Sequence, residues 1–243
     1  MISFFGKCMT NLWTSVVYLL SGRTRVCHVI NQAASISYDS LIISLVIAFV
    51  SAAVIAIQVS KQFLMSGAEA YIGGSIAIVM IREIAPGFVA LAIGARAGTA
   101  ISAEIANMQV TSQVDAIKTL KVDPVGYYFT PRIVAAAITV PMVVMIAELV
   151  GIAGGLLVSH ATIGLHPARY THSVWLWLNS RDIYISLFKA FIFGILIALV
   201  CATQGYETKG GAKDVGESTT RAAILSTIYM LSADFIINLI FYL

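Results

Sequence analysis

The amino-acid sequence predicts an all-α protein that crosses a membrane several times, and two observations carry that expectation. Of its 243 residues, 59% are hydrophobic and only 11% charged, whereas a soluble domain carries about 25% charged residues to coat its surface. The apolar residues are gathered into long runs with the charges pushed between them, as in helices immersed in lipid. A formal net charge of +3, spread over short basic clusters rather than one stripe, argues against nucleic acid as a partner. Cys8, Cys27 and Cys201 lie far apart, without a CxxC or a histidine at metal-ligand spacing, so neither a zinc nor a redox role is expected and no metal site is proposed.

Residues 1–30 are expected to hold an amphipathic helix. Phe5, Met9, Leu12, Val16 and Leu19 recur at three-and-four spacing, with Ser3, Lys7, Thr10, Asn11 and Thr14 on the other side, as in a helix lying in the membrane interface. A signal peptide fits less well, because polar residues interrupt the run and no clean cleavage site follows. The first span is residues 41–60, which carry no charge and meet the requirement of roughly 20 apolar residues. A second apolar stretch, 72–106, is interrupted by Arg82, Glu83, Pro86, Arg96 and Glu104 and is read as one long span kinked at its proline. The third is 131–161, opened by Thr130-Pro131 as N-cap and first helical residue. The fourth is about 183–206 and the fifth about 220–243.

Lysine and arginine in short loops mark the cytoplasmic side of a membrane protein. Arg23 and Arg25 precede the first span, Lys118 and Lys121 lie between the second and third, and Lys209 and Lys213 lie between the fourth and fifth, with Arg221 at the very start of the fifth. All three groups fall on one side, which places the N-terminus in the cytoplasm and the C-terminus outside. The opposite loop, 166–178, carries Tyr170, Trp175 and Trp177, suited to an interfacial belt.

No enzyme is indicated. The chain has no GxxxxGK[ST] loop, Gly210-Gly211 lacking both the spacing and the strand-to-helix context. Nor does it show HExxH, a nucleophile elbow or paired catalytic carboxylates. Segment 110–122 reads as a short amphipathic helix. Ser112 and Asp115 suggest a capping box, Val114, Ile117 and Leu120 or Lys121 share a face, and Asp123-Pro124 ends it. Two readings stay open: a connector resting on the membrane, or a coupling helix that docks on a soluble ATPase. Gly94 and Gly98, with Ser102, and Gly151, Gly154 and Gly155 are small residues that let helices approach closely in lipid. Charges inside spans, at about 3 kcal/mol or more at the bilayer centre, are functional candidates. Arg82 and Glu83 are the foremost, facing either a lipid cavity beside the Pro86 kink or an internal partner such as Glu148 or Asp234, with Lys189 a further intramembrane charge.

Arg82-Glu-Ile-Ala-Pro-Gly, Ala92-Ile-Gly-Ala-Arg-Ala-Gly-Thr-Ala-Ile-Ser-Ala-Glu, Gln113-Val-Asp-Ala-Ile, Asp123-Pro through Pro131-Arg, Gly205-Tyr-Glu and Ser218-Thr-Thr-Arg resemble, in that order, the MlaE/YrbE-type ABC transporter permeases of MCE lipid transport systems. The resemblance runs from the first span onward; the usual Leu-Gly before the proline is Ile84-Ala85 here. It implies a permease domain over 31–243 that works as a homodimer and moves phospholipid or another hydrophobic molecule between inner and outer membranes, supporting outer-membrane lipid asymmetry. It implies a cytoplasmic ABC ATPase dimer that binds ATP and magnesium, an outer ring of MCE-domain lipid-binding proteins, a small STAS-type cytoplasmic subunit, and no cofactor in this chain. By the same likeness Arg82 and Glu83 fall at the lipid cavity, Gln113, Val114, Asp115, Ile117, Lys118 and Leu120 at the ATPase contact, and the setting is a bacterial inner membrane or a plastid inner envelope. The competing classes are an ATP-independent lipid channel or carrier, for which no inverted repeat is apparent, and a membrane scaffold for soluble partners.

Overall fold

The computed structural model describes residues 2–22, 24 and 26–242; Arg23 and Arg25, used above for orientation, lie outside the described residues. The described residues form eight helices and no strand. In chain order these are α1 Ile2–Leu20, α2 Val26–Met65, α3 Glu69–Val110, α4 Gln113–Thr119, α5 Pro124–Ile163, α6 Pro167–Trp177, α7 Ser180–Tyr206 and α8 Ala212–Tyr242. Five of them, α2, α3, α5, α7 and α8, are long and apolar enough to cross a membrane.

Several boundaries differ from the sequence reading for identifiable reasons. Helix α2 begins at Val26 rather than near 41, because the polar residues ahead of the charge-free run do not break helical hydrogen bonding; they only leave the apolar core. At 40 residues, α2 is about 60 Å long, twice the roughly 30 Å hydrocarbon thickness. Helix α5 opens at Pro124, not at Thr130-Pro131. Asp123 caps it, its carboxylate accepting from the Val125 and Gly126 amides at 3.2 and 2.9 Å. Pro124 supplies the preset φ of a first turn and needs no amide partner there. Pro131 sits about two turns further in. Helix α6 occupies the loop read as an aromatic belt, with His166 as its N-cap accepting from the Ala168 amide and Pro167 in its first turn.

Helix α3 is not a uniform α-helix. Met80–Val89, which contains Pro86, and Gly94–Gly98 are π-helical turns. Pro86 has no amide to give the preceding turn, and the chain widens there instead of breaking.

The chain divides into two compact units. One comprises Met1–Ser40, Ile93–Val140 and Phe191–Leu243. Within it α1 docks through its small and polar edge: Cys8 and Ser15 are buried, Asn11 donates to Thr203 Oγ1 at 3.1 Å, and Lys7 pairs with Glu207. Phe5, Met9, Trp13, Val16 and Leu19 face outward, the disposition of a helix whose apolar stripe meets lipid. The second unit comprises Leu41–Ala92 and Pro141–Ala190. There α6 packs tightly on the start of α3: a Cβ at Gly73 would collide with the Tyr170 carbonyl, and Ser173 Oγ accepts from the Gly74 amide at 3.0 Å. The Tyr170 hydroxyl donates to the Ile152 carbonyl at 3.1 Å.

Candidate functional site

The second unit holds a cluster of charges where α3 meets α7. Arg82 Nε donates to Asp182 Oδ1 at 2.9 Å, and Lys189 Nζ to Glu83 Oε1 at 3.1 Å. Adjacent residues on one helix thus point to two partners seven apart on another, which is two helical turns and one face. Lys189 also donates to the Arg82 carbonyl at 2.8 Å. In a regular α-helix that carbonyl would accept from residue 86, and Pro86 has no amide to offer. The buried ammonium therefore helps to satisfy a carbonyl at the site of the proline. The α7 partners are buried, Lys189 with 0% and Asp182 with 4% of the side chain exposed, whereas the Arg82 and Glu83 side chains keep 37% and 45%. The buried partners thus hold two half-open heads in place.

Of the other intramembrane charges, Glu148 is buried and accepts from the Ser186 hydroxyl. Ser186 sits on α7 between Asp182 and Lys189. Asp234 lies in the first unit, on α8, where Asn238 donates to it at 3.4 Å. Arg82 and Glu83 thus each have a charged partner on α7, Asp182 and Lys189, beyond the Glu148 and Asp234 that the sequence offers for an internal bridge. Asp182 was missed because it stands at the polar mouth of the fourth span, beside Arg181. Its opposite charge two turns before Lys189, matching the Arg82-Glu83 order, was the available signal.

In the first unit, α4 is a seven-residue helix set between two left-handed residues, Ser112 at φ 59° and Lys121 at φ 57°. The expected capping box is absent: Ser112 makes no side-chain cap bond, because a left-handed backbone aims its hydroxyl away from the first turn, and Asp115 binds Lys118 Nζ at 2.8 Å instead. Val114 is fully buried and anchors the helix, Ile117 is half-buried, and Gln113, Asp115, Lys118 and Leu120 are exposed, Leu120 by 73%. The Lys118 ammonium also stands 6.0 Å from the Tyr206 ring centroid. Its hydrogen bond with Asp115, followed by the phenol of Tyr206, raises its pKa above the ordinary lysine value.

The small residues make close approaches within the chain. A Cβ at Gly98 would meet Cys201 Sγ at 2.9 Å, one at Gly94 Ile197 at 3.6 Å, one at Gly155 the Tyr170 hydroxyl at 2.7 Å, and one at Gly151 the end of Met80. Gly154 lies against Phe49 in the same way. Gly194 and Gly205 lie against the backbone carbonyls of Ala136 and Ser102; sequence spacing alone did not single them out. A further pair, Arg132 with Glu104 at 2.7 Å, ties α5 to α3.

Five membrane-crossing helices with paired charges inside them define a multi-pass α-helical membrane protein. The family described as Permease MlaE matches residues 29–240, and the chain belongs to that family. It is 35% identical over 222 residues to a probable ABC transporter permease protein of Synechocystis sp., covering 91% of this chain and 84% of that one. It is 36% identical over 214 residues to a probable ABC transporter permease protein of Rickettsia prowazekii, covering 88% and 83%. Against the chloroplastic protein TRIGALACTOSYLDIACYLGLYCEROL 1 of Arabidopsis thaliana, identity is 31% over 227 residues, covering 93% of this chain and 65% of that one. The chain is accordingly a permease subunit of the ABC transporter class.

Proposed function

We propose that this permease moves phospholipid or another hydrophobic molecule between inner and outer membranes, driven by ATP hydrolysis on a separate cytoplasmic ATPase dimer that binds ATP and magnesium. The observation that carries the reading is α4. A seven-residue helix pinned by Val114 and bounded by two left-handed residues cannot cross a membrane, yet it presents part of Ile117 and, at its C-cap, Leu120 outward. Exposed apolar side chains on a rigid, charged helix suit a groove in a soluble partner. The lipid cargo is supported by the Arabidopsis relative, whose name is that of a glycolipid, and by the half-open Arg82 and Glu83 heads, suited to a polar lipid headgroup. The same reading includes a second copy of the chain, an MCE-domain ring, a STAS-type subunit, and an inner-membrane or plastid-envelope setting with α4 in the cytoplasm.

The test is affinity purification of the tagged chain from its own membrane in mild detergent. An ABC ATPase should co-purify. Leu120→Glu and Ile117→Asp should each lower its recovery about tenfold or more, as expected for a central apolar contact, with unchanged yield of the permease. Val114 is unsuitable for this purpose, since its burial makes any charged replacement a folding lesion. Lipid movement that persists with no ATPase bound would overturn the proposal.

A further inference from the structure

Arg96 stands apart from the cluster around Arg82. It lies in the π-helical turn Gly94–Gly98 of α3 and is exposed. Among the described residues, no hydrogen bond or ion pair engages its guanidinium. It opens into a small groove in the first unit, with a free volume of about 40 Å³, lined also by Gln32, Ser35, Ile36, Ala100 and Glu104. An unpartnered arginine on a membrane-crossing helix is expensive at the bilayer centre, about 3 kcal/mol even on insertion scales, and far less so where it meets a lipid phosphate.

The surroundings set the depth. Gln32 and Ser35 belong to the polar part of α2 that precedes the charge-free run 41–60. Gly98 abuts Cys201, and Thr203, two residues on, accepts from Asn11 of α1. Gly94 meets Ile197 and Gly98 meets Cys201, so α3 and α7 run parallel here, and Arg96 lies about 6 Å along the axes from the level of α1. Arg96 stands on the bilayer-centre side of that level, at a depth from which a long arginine side chain extends back to the headgroups. The charge balance sets the sign. Glu104 shares the groove, but Arg132 holds its carboxylate at 2.7 Å, which leaves the Arg96 fork for an outside anion. Gln32 and Ser35 add an amide and a hydroxyl, and Ile36 and Ala100 an apolar floor. Planar, bidentate recognition of a phosphate suits arginine.

We propose that this groove is a binding site for the phosphate of a membrane phospholipid, with Arg96 as its cation. The site is separate from the Arg82 cluster and stands whether or not that cluster handles cargo. The test is native mass spectrometry of the purified full chain with dioleoyl phosphatidylglycerol or, lacking phosphate, dioleoylglycerol. Wild type should retain phosphatidylglycerol and not dioleoylglycerol. Arg96→Gln should lower retention about tenfold or more, the worth of a charge-assisted contact, and Arg96→Lys should keep part of it. Ala100→Phe, which narrows the groove at an exposed position, should give the same loss if Arg96→Gln does not fold. Arg82→Gln should leave this adduct in place. Equal retention by wild type and Arg96→Gln overturns the site. Displacement by equimolar inorganic phosphate assigns it to a free anion instead, and a change in oligomeric mass on Arg96→Gln assigns the arginine to an interface between copies; either result overturns the lipid proposal.

Discussion

At the scale of residues, the cluster on α3 and α7 is asymmetric, and the asymmetry is measurable. Glu83→Ala removes one anionic partner of an ammonium with no exposed surface, Lys189. Taking an anion away from a fully buried ammonium is the costlier direction of breaking the pair. Lys189→Met leaves behind a carboxylate that is already half-exposed, and should cost less. Unfolding of both variants in one detergent gives the order. The Arg82–Asp182 pair separates scaffold from cargo contact. Arg82→Asp with Asp182→Arg should restore stability lost in either single variant; recovery of stability without recovery of lipid transfer marks the Arg82 head as a cargo contact. Cys8 offers a third check. Burial raises its thiol pKa, so its thiolate forms only at higher pH than an ordinary cysteine's. In a Cys201→Ala background, maleimide should modify exposed Cys27 readily and Cys8 slowly, with the Cys8 rate still climbing at alkaline pH. The sequence could announce Arg82 and Glu83 because charge within an apolar run is conspicuous. It could not announce Asp182, because a carboxylate at the mouth of a span looks like any solvated helix start until the facing helix is known.

Helices were legible to the extent that composition alone decides them. Long apolar runs required membrane-crossing helices, and Asp123-Pro124 marked a real boundary, yet it opens α5 as well as following α4. What composition could not give is how far a helix continues past its apolar part, as α2 does through Gln32 and Ser35, or how a proline is absorbed, as the π turn absorbs Pro86. Nor did it distinguish among glycines. Gly194 faces the carbonyl of Ala136, a backbone atom that cannot move aside, while Gly151 faces the flexible end of Met80. Gly194→Ala should therefore fall in or above the roughly 1–3 kcal/mol range of overpacking and Gly151→Ala below it. Thermal unfolding of the two variants is the comparison, and equal losses would mean that the approach of α7 to α5 is looser than described.

For the whole molecule, the connecting segments and helix ends that carry Lys118, Lys121, Lys209, Lys213 and Arg221 share a side if all five helices cross, and the proposal places that side in the cytoplasm. A cysteine at Thr119, exposed on α4, should react with a membrane-impermeant reagent in inverted vesicles and stay protected in right-side-out cells; the reverse pattern would remove α4 from reach of ATP. The most direct test of the account is lipid transfer by the complex reconstituted in proteoliposomes. Transfer of a labelled phospholipid should require ATP, and Leu120→Glu should abolish its ATP dependence while leaving the permease folded. Transfer at the wild-type rate without ATP, or ATP-driven transfer undiminished by Leu120→Glu, would contradict it.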